Sequence, residues 1–528
     1  MSAASPASST SVDELLAQDS GSIPALIRLH ARARPDHAAL IAGDDRIDYA
    51  GLDALMDRVA AALQQGGVGP GGAVAIAASS SIPYVAAYLG AVRAGASVAP
   101  LQPSLAADSL AGMCADAGAS HLFLDDAVSR ALGAAARPIT ATRVALDGSG
   151  AGRPFADWLA PVGAAPREVA IDPDAPFNLI YSSGTTGTPK GIVQSHRMRW
   201  AHVSRGGMFG YGPDAVTLVS TPLYSNTTLV SLLPTLALGG AAVLMPRFDV
   251  AEFLRLAEAH RVTHAMLVPV QYDRILRHDA FDRADLSRFR MKLCTSAPFS
   301  AELKAEVLRR WPGGLVEFFG MTEGGGTCIL VAHEHPDKLH TVGRPAEGHD
   351  IRVLDDGDRE LGPGEVGEIV GHSPMAMMTG YHRRPADSAA IEWRDATGKR
   401  FIRTGDLGRY DADGFFTIVG RKKDVIISGG FNIYPVDLEA ALTAFPAVAE
   451  AAVVGVPSSR WGETPVAFVV LAPGHDAEGA ILREIANARL GATQRIADVV
   501  ILSALPRSPI GKVLKRQLRE TYDGPARS

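Results

Sequence analysis

Ile180-Tyr181-Ser182-Ser183-Gly184-Thr185-Thr186-Gly187-Thr188-Pro189-Lys190-Gly191 is a run of small, hydroxylated and flexible residues whose ordering is entropically costly. The apolar segment before it, Phe177 to Ile180, reads as a buried strand, and a helix is expected from about Gln194. A loop at such a strand-to-helix junction presents backbone N–H groups, Ser and Thr hydroxyls and the Lys190 ammonium. That set suits a polyphosphate, and the glycines allow close approach. The loop is not a Walker A sequence, because Pro189 precedes Lys190 and Gly191, not Ser or Thr, follows it.

At 528 residues the chain is too long for one ordinary core, so two or more domains are expected. Hydrophobic residues make up 47% and charged residues 20%, an ordinary globular balance. A formal net charge of −6 with dispersed Lys and Arg argues against a nucleic-acid partner and against a polybasic membrane anchor. Cys114, Cys294 and Cys328 are far apart, which indicates neither a disulfide framework nor a structural zinc site and fits a reducing cytoplasm. Residues 1–12 are rich in Ser and Ala without a basic start or an apolar core, and read as a disordered tail. The most apolar stretch, Leu229 to Leu244, is broken by Pro234, Gly239 and Gly240, so no membrane span is expected.

Residues 45–130 alternate helical and strand periodicity. Leu52, Leu55, Met56, Val59 and Leu63 mark a helix stopped by Gly66, and Val74 to Ala77 and Val98 to Leu101 read as strands around a helix from Ile82 to Val92. The βαβ pattern resumes over 216–319, so the fold class is α/β with parallel sheets and ligands at the carboxyl ends of the strands. From about residue 350, short strands joined by Asp-Gly and Pro-Gly turns predict an antiparallel β subdomain. The basic run Gly420-Arg421-Lys422-Lys423-Asp424 then precedes a small α+β unit, which divides the chain into domains at 13–420 and 421–528.

Four further motifs carry chemistry. Phe318-Phe319-Gly320-Met321-Thr322-Glu323 closes a strand in a loop and is followed by Gly324, Gly325 and Gly326. There the Phe319 ring can stack on a purine, Thr322 can donate to a phosphate and Glu323 can hold Mg²⁺. Ser296-Ala297-Pro298 follows a strand. Thr404-Gly405-Asp406 supplies a carboxylate in a tight turn, able to accept two hydroxyl hydrogen bonds. Pro506-Arg507-Ser508-Pro509-Ile510-Gly511-Lys512 puts a lysine near the C-terminus. His333, His335 and His340 lie in a polar loop without a Cys partner, and no Gly-x-Ser-x-Gly elbow occurs, so neither a metal centre nor a serine hydrolase is expected.

The phosphate-type loop and these motifs, in this order, resemble the adenylate-forming superfamily, which holds acyl- and aryl-CoA synthetases, peptide-synthetase adenylation domains and beetle luciferases. The resemblance spans nearly the whole chain and implies a large AMP-binding domain followed by a small mobile one. It assigns Ser182, Ser183, Gly184, Thr186, Gly187, Thr188, Lys190, Ser296, Ala297, Pro298, Phe319, Gly320, Met321, Thr322, Asp406 and Arg421 to ATP, and Thr185, Glu323 and Lys512 to catalysis, with Glu323 on Mg²⁺. It puts the hinge at Lys423 and Gly430 and Trp461 in the channel for the thiol of coenzyme A. The acyl pocket falls to Tyr224, Ser225, Asn226, Gly324 and Gly325, the glycines being expected to leave room there. Two departures stand out: Phe319 where similar proteins usually have Tyr, and Ser225 where many acyl-CoA synthetases carry His.

What the resemblance implies is an AMP-forming ligase using ATP, Mg²⁺ and coenzyme A on an aromatic, alicyclic or medium-chain acid. A stand-alone enzyme loading a carrier protein is the nearest alternative, and a luciferase-like oxygenase or a non-catalytic ATP-binding module are others. A homodimer is a further expectation.

Overall fold

The computed structural model describes residues 11–182, 189–491, 494–508 and 511–524. Two sheets face each other across a shared layer of helices. Among the described residues one sheet has eight strands, in the order Gly380–Tyr381, Lys190–Ser195, Pro176–Ser182, Ser97–Pro100, Ala73–Ala77, Ala119–Leu124, Thr142–Ala145 and Arg153–Pro154. The other has nine: Arg344–Pro345, Cys328–Val331, Gly314–Phe319, Met291–Cys294, His264–Leu267, Val216–Val219, Ala241–Leu244, Ala38–Ala42 and Asp45–Asp48. Their central strands pair in parallel, as the βαβ pattern requires.

The helices between the sheets are apolar on both sides because both sides are covered. Ile82–Arg93 buries every residue from Tyr84 to Val92. Its partner Tyr49–Gln65 is capped by Asp48, whose side chain accepts the Gly51 N–H at 2.8 Å, and ends at Gly66. The two helices approach so closely at Gly90 that a Cβ there would lie 2.5 Å from that of Val59. One core therefore joins Val74, Ile76 and Phe123 of one sheet, through these helices and Asn226–Ala237, to Leu40, Val219 and Leu244 of the other. The outer faces are covered by Ala107–Asp116 and Asp126–Leu132 on the eight-stranded sheet, and by Val250–Ala259, Pro269–Leu276 and Ala301–Arg310 on the nine-stranded one.

Three local expectations change. The segment after the Ser/Thr/Gly loop is not yet helix: Lys190–Ser195 is a strand antiparallel to Pro176–Ser182, with Ile180 opposite Ile192 and Ser182 opposite Lys190. Ile192 and Val193 are β-branched and buried, which favours the strand, and the helix begins only at His196, where the Ser195 side chain accepts the Met198 N–H. The loop thus joins two paired strands, not a strand and a helix. Thr404-Gly405-Asp406 is not a turn but the middle of the long strand Arg400–Tyr410, irregular where Gly405 adopts φ 69°. Phe401, Ile402, Leu407 and Tyr410 give that segment strand character on both sides of the glycine. The domain boundary also shifts slightly. Arg421 closes the strand Phe416–Arg421 and pairs with Asp406, so it belongs to the antiparallel subdomain rather than to the unit after it.

Beyond Lys422–Asp424 comes the small domain. Ile426–Ser428, Phe431–Ile433, Val448–Ser458, Gly462–Leu471 and Asp498–Leu502 form its sheet, with apolar clusters of their own on both faces. No helix among the described residues is long and apolar enough to cross a membrane.

Candidate active site

The strand Pro176–Ser182 is followed across its sheet by Lys190–Ser195, which lies between it and Gly380–Tyr381 at the edge. Ser183, Gly184, Thr185, Thr186, Gly187 and Thr188 lie outside the described residues; Ser182 ends the first strand and Lys190 opens the second. Lys190 Nζ is 2.9 Å from Asp387 Oδ1 and lies over the Tyr381 ring, 5.2 Å from its centroid. Tyr381 in turn donates its hydroxyl to Glu323 Oε1 at 2.8 Å. Neither Asp387 nor Tyr381 is in a recognisable motif. Both are supplied by the segment that pairs with Lys190–Ser195 from the far side, through Gly380 opposite Val193.

Glu323 is fixed through its backbone as well, its carbonyl accepting the Met378 N–H at 2.8 Å. Among the described residues no group of three or more His, Cys, Asp or Glu could hold a metal by itself. The Glu323 carboxylate is an oxygen donor of the kind that hard cations such as Mg²⁺ take.

The glycines after Glu323 do not open a pocket on their Cβ side. A Cβ on Gly324 would stand 2.1 Å from the Ala376 carbonyl oxygen, and one on Gly325 2.8 Å from Ile402 Cβ. All three adopt positive φ, 77°, 85° and 117° for Gly324, Gly325 and Gly326. What they admit is the backbone of the antiparallel subdomain, so the room expected at Gly324 and Gly325 is filled by protein.

The end of that loop rests on His349. Its Nδ1 accepts the Thr327 N–H at 3.0 Å, while Arg205 Nη1 lies 2.8 Å from Nε2. With Nδ1 accepting, the neutral ring carries its hydrogen on Nε2, 3.2 Å from the Ser373 hydroxyl, and a second proton, on Nδ1, would face the Thr327 N–H donor. Burial, then the charges of Arg205 and His372, lower its pKa from 6.5 to about 4. A depressed histidine contributes stability that is complete above its unfolded pKa and is lost as pH falls toward the folded one. Stability should therefore fall between pH 6.5 and about 4, and His349→Gln, whose amide can still accept, should flatten that fall. Unfolding midpoints measured across this range check it, and parallel curves for the two proteins would contradict it.

Ser296 holds φ 82°, a region costly by roughly 1–3 kcal/mol for a residue with a Cβ. Its Oγ is 2.7 Å from Thr227 Oγ1, and the neighbouring Thr295 hydroxyl donates to the Phe318 carbonyl at 2.9 Å. Ala297 and Pro298 continue that loop toward the helix Ala301–Arg310, which Ser300 caps. Phe319 is half-buried opposite Cys328, against a cluster containing Val353, Ile369 and Phe416. Gly320 is exposed beside it, and Met321 packs toward Ile192, Met378 and Ile402. The Thr322 carbonyl accepts Gln194 Nε2 at 2.7 Å, and the same nitrogen lies 3.3 Å from Asn226 Oδ1. Gln194 thus ties the strand after the phosphate-type loop to the segment Tyr224-Ser225-Asn226. Ser225 is buried at the head of the helix Asn226–Ala237, and burial pushes the half-buried Tyr224 phenol up to about 12.

Asp406 is buried, and Arg421 Nε meets its Oδ1 at 2.7 Å across the strand pair. Burial raises the Asp406 pKa, against the attraction of Arg421 and then of Lys512. Lys512 belongs to the small domain, yet its neighbours in charge are Arg421, Lys423, Asp406 and Asp424. Crowding by protein, and after it the two cations, lowers its pKa from 10.5 although the side chain still reaches solvent. The loop that carries it docks on the large domain: a Cβ on Gly511 would lie 2.9 Å from Val270 Cγ1. Ser508 and Lys512 close this loop, with the Ser508 N–H donating to the Lys512 carbonyl at 2.8 Å.

Gly430 and Trp461 are elsewhere. Gly430 is exposed with nothing within 4 Å of a Cβ position. Trp461, 47% exposed, leans on Gly429. Lys423 sits in the single turn Lys422–Asp424 between the domains. Among the described candidates, Lys190 and Glu323 are joined through Tyr381, Thr322 is held by Gln194, Asp406 pairs with Arg421, and Gly430 and Trp461 face solvent.

Residues 27–382 match the AMP-binding enzyme family and residues 437–512 the AMP-binding enzyme C-terminal domain. A feruloyl-CoA synthase from an Amycolatopsis species is 34% identical over 499 residues, covering 93% of this chain and 97% of that protein. A fatty acid–[acyl-carrier-protein] ligase of Streptomyces coeruleorubidus is 31% identical over 94% of this chain and 95% of its own length. Among solved structures, ATP-bound MatB from Rhodopseudomonas palustris superposes with a TM-score of 0.84 at 30% identity, over 94% of this chain and 99% of that one. Apo MatB gives 0.75 over 95% and 99%. With both domains matched and relatives of this kind spanning nearly the whole chain, the chain belongs to the AMP-binding enzymes, in the acyl-CoA synthetase branch of the adenylate-forming superfamily.

Proposed function

We propose that the chain activates an aromatic or fatty carboxylic acid with ATP and transfers the acyl group to coenzyme A. The observation that carries this reading is the contact that seats Gly511 of the small domain against Val270 of the large one, with Lys512 next in the chain feeling the charges of Arg421 and Asp406. A carboxylate oxygen attacks the α-phosphorus and the bond to pyrophosphate breaks, giving acyl-AMP. A thiolate then attacks the acyl carbon and AMP leaves. Neither step needs a protein nucleophile, so the residues position the reactants and stabilise charge.

In this scheme Asp406 accepts hydrogen bonds from the ribose hydroxyls, and Arg421 holds it ionised. Lys190 and the loop before it hold the β- and γ-phosphates. Mg²⁺ held by Glu323 would neutralise phosphate charge. Lys512 would lie against the carboxylate and the α-phosphate, the arrangement for the first step. The better superposition on the ATP-bound form of MatB than on the apo form supports that assignment. The second step asks the small domain to turn about Lys423 and bring Gly430 to the site. The apolar residues around Gly430, Ile427 and Phe431 at 58% exposed and Trp461, are then a face awaiting burial.

The acid class draws support from the feruloyl-CoA synthase, and the carrier-loading alternative from the Streptomyces coeruleorubidus ligase, which is named for an acyl-carrier protein. Pyrophosphate exchange over a panel of aromatic and aliphatic acids, followed by AMP release with and without coenzyme A, tests both. Exchange with one class and AMP release that depends on coenzyme A are expected. Exchange indifferent to coenzyme A but stimulated by a holo-carrier protein would select the alternative.

A further inference from the structure

Asn178 and Gln194 stand opposite each other in the strand pair that flanks the Ser/Thr/Gly loop, and both are 0% exposed. Arg199, on the helix His196–Ser204 that follows, is equally buried. Its Nε donates to Asn178 Oδ1 at 2.8 Å and its Nη2 to Gln194 Oε1. Asn178 Nδ2 donates to the same Gln194 oxygen at 2.9 Å. The outer end of this chain is Gln194 Nε2, which donates to the Thr322 carbonyl at 2.7 Å and lies 3.3 Å from Asn226 Oδ1.

The direction of the chain has one source. A side-chain amide can face either way, but a guanidinium has five donors and no acceptor. Burial lowers the Arg199 pKa only to about 10, so it is a cationic donor at neutral pH. Asn178 must therefore offer it Oδ1, which turns Nδ2 toward Gln194. Gln194 must offer Oε1 to both, which leaves Nε2 for Thr322 and Asn226. Turned the other way, Gln194 would set N–H against N–H at Arg199 and oxygen against oxygen at Thr322. No carboxylate offsets the burial of this cation. Both of its partners are neutral amides, and its Nη1 has no hydrogen-bond partner among the described residues. The buried Arg93 and Lys304, by contrast, meet Asp53 and Asp57, and Glu317. An unpaired buried charge costs stability, so what Arg199 supplies is orientation.

The peptide that this chain grips is the one leading into Glu323. The peptide leaving Glu323 is gripped by the Met378 N–H, so the residue is pinned on both sides of its Cα. We propose that Arg199 is a positioning residue which, acting through Gln194, holds the Thr322–Glu323 peptide where adenylation needs it. The inference rests on the ligase reading, in which Glu323 holds Mg²⁺.

Three substitutions separate orientation from bulk. Arg199→Lys keeps a side chain that only donates, Arg199→Gln is polar but can also accept, and Arg199→Met does neither. Pyrophosphate exchange is measured for each, with Tm in the presence and absence of MgATP. kcat/KM for MgATP should stay within about threefold of wild type in Arg199→Lys and fall about tenfold in Arg199→Gln and Arg199→Met. The rise in Tm given by MgATP should shrink in the same two variants, while the Tm of unliganded Arg199→Met is not lowered, because an unpaired charge has left the interior. Gln194→Met should also lose about tenfold, and adding Arg199→Met to it should cost nothing more. Equal exchange in Arg199→Gln and Arg199→Lys, losses that add in the double variant, or a lower unliganded Tm with an unchanged MgATP increment would overturn the assignment. Should the Arg199 variants fail to fold, Gln194→Glu decides. It sets a second oxygen against the Thr322 carbonyl and should lose more than Gln194→Met; exchange no lower than in that variant would overturn the proposal. Absence of exchange with every acid in the wild-type protein would remove the ligase reading instead, and the MgATP increments would still decide whether Arg199 orders the loop.

Discussion

Lys512→Ala should lower pyrophosphate exchange by two to three orders of magnitude, while acyl transfer from supplied acyl-adenylate stays within about threefold of wild type. The asymmetry follows from where the lysine stands. It feels the charges of Arg421, Lys423, Asp406 and Asp424 in an arrangement where the neighbouring Gly511 is seated on Val270, a contact between domains. A preorganised charge at developing phosphate charge acts on one barrier alone. If the small domain turns for thioester formation, Lys512 is withdrawn and its side chain is irrelevant to that step. Equal losses in the two half-reactions would mean that the docked loop serves both.

Gly371→Val should be nearly as damaging to adenylation, about a hundredfold, for a different reason. A Cβ at Gly371 would lie 1.7 Å from the Gly325 carbonyl oxygen, and that oxygen belongs to backbone. The strand Gly367–His372 must then move off the loop that holds Glu323. Overpacking of this kind costs about 1–3 kcal/mol in stability, a tolerable loss for a large domain, whereas a shift of about 1 Å where reacting groups must be aligned costs about a hundredfold in rate. Exchange activity and Tm measured together separate the two effects. Near wild-type exchange at any Tm would show that the glycine loop does not position Glu323.

Much of this was readable in the residues and some was not, for physical reasons. Helix period and apolar runs located the central strands and helices because both depend on local spacing. Lys190–Ser195 escaped because only Ile192 and Val193 speak for a strand in so short a segment, and its pairing with Pro176–Ser182 is not written in the local sequence. Asp406 looked like a turn residue because the tripeptide Thr404-Gly405-Asp406 has turn chemistry, and only the flanking apolar residues and the pairing with Arg421 hold it extended. The three glycines after Glu323 suggested open room, whereas what they admit is the backbone packed against them, which their own sequence does not show. Tyr381, Asp387, Gln194 and Arg199 belong to no motif. Their burial and mutual contacts exist only once segments far apart in the chain are packed together.

The pairing of Lys190 with Asp387 has a bearing on turnover. A polyphosphate that recruits Lys190 does not find a free ammonium; it must displace a carboxylate 2.9 Å away. The half-exposed pair is worth no more than about 1 kcal/mol, so this competition weakens substrate capture only slightly. The same carboxylate is still there when pyrophosphate must leave. Asp387 can reclaim the lysine as the product lets go, sparing the site a bare cation at that moment. An arrangement that gives up a little affinity in this way shortens the lifetime of the product complex, and loss of the carboxylate would be felt as slow product departure before it was felt as poor binding.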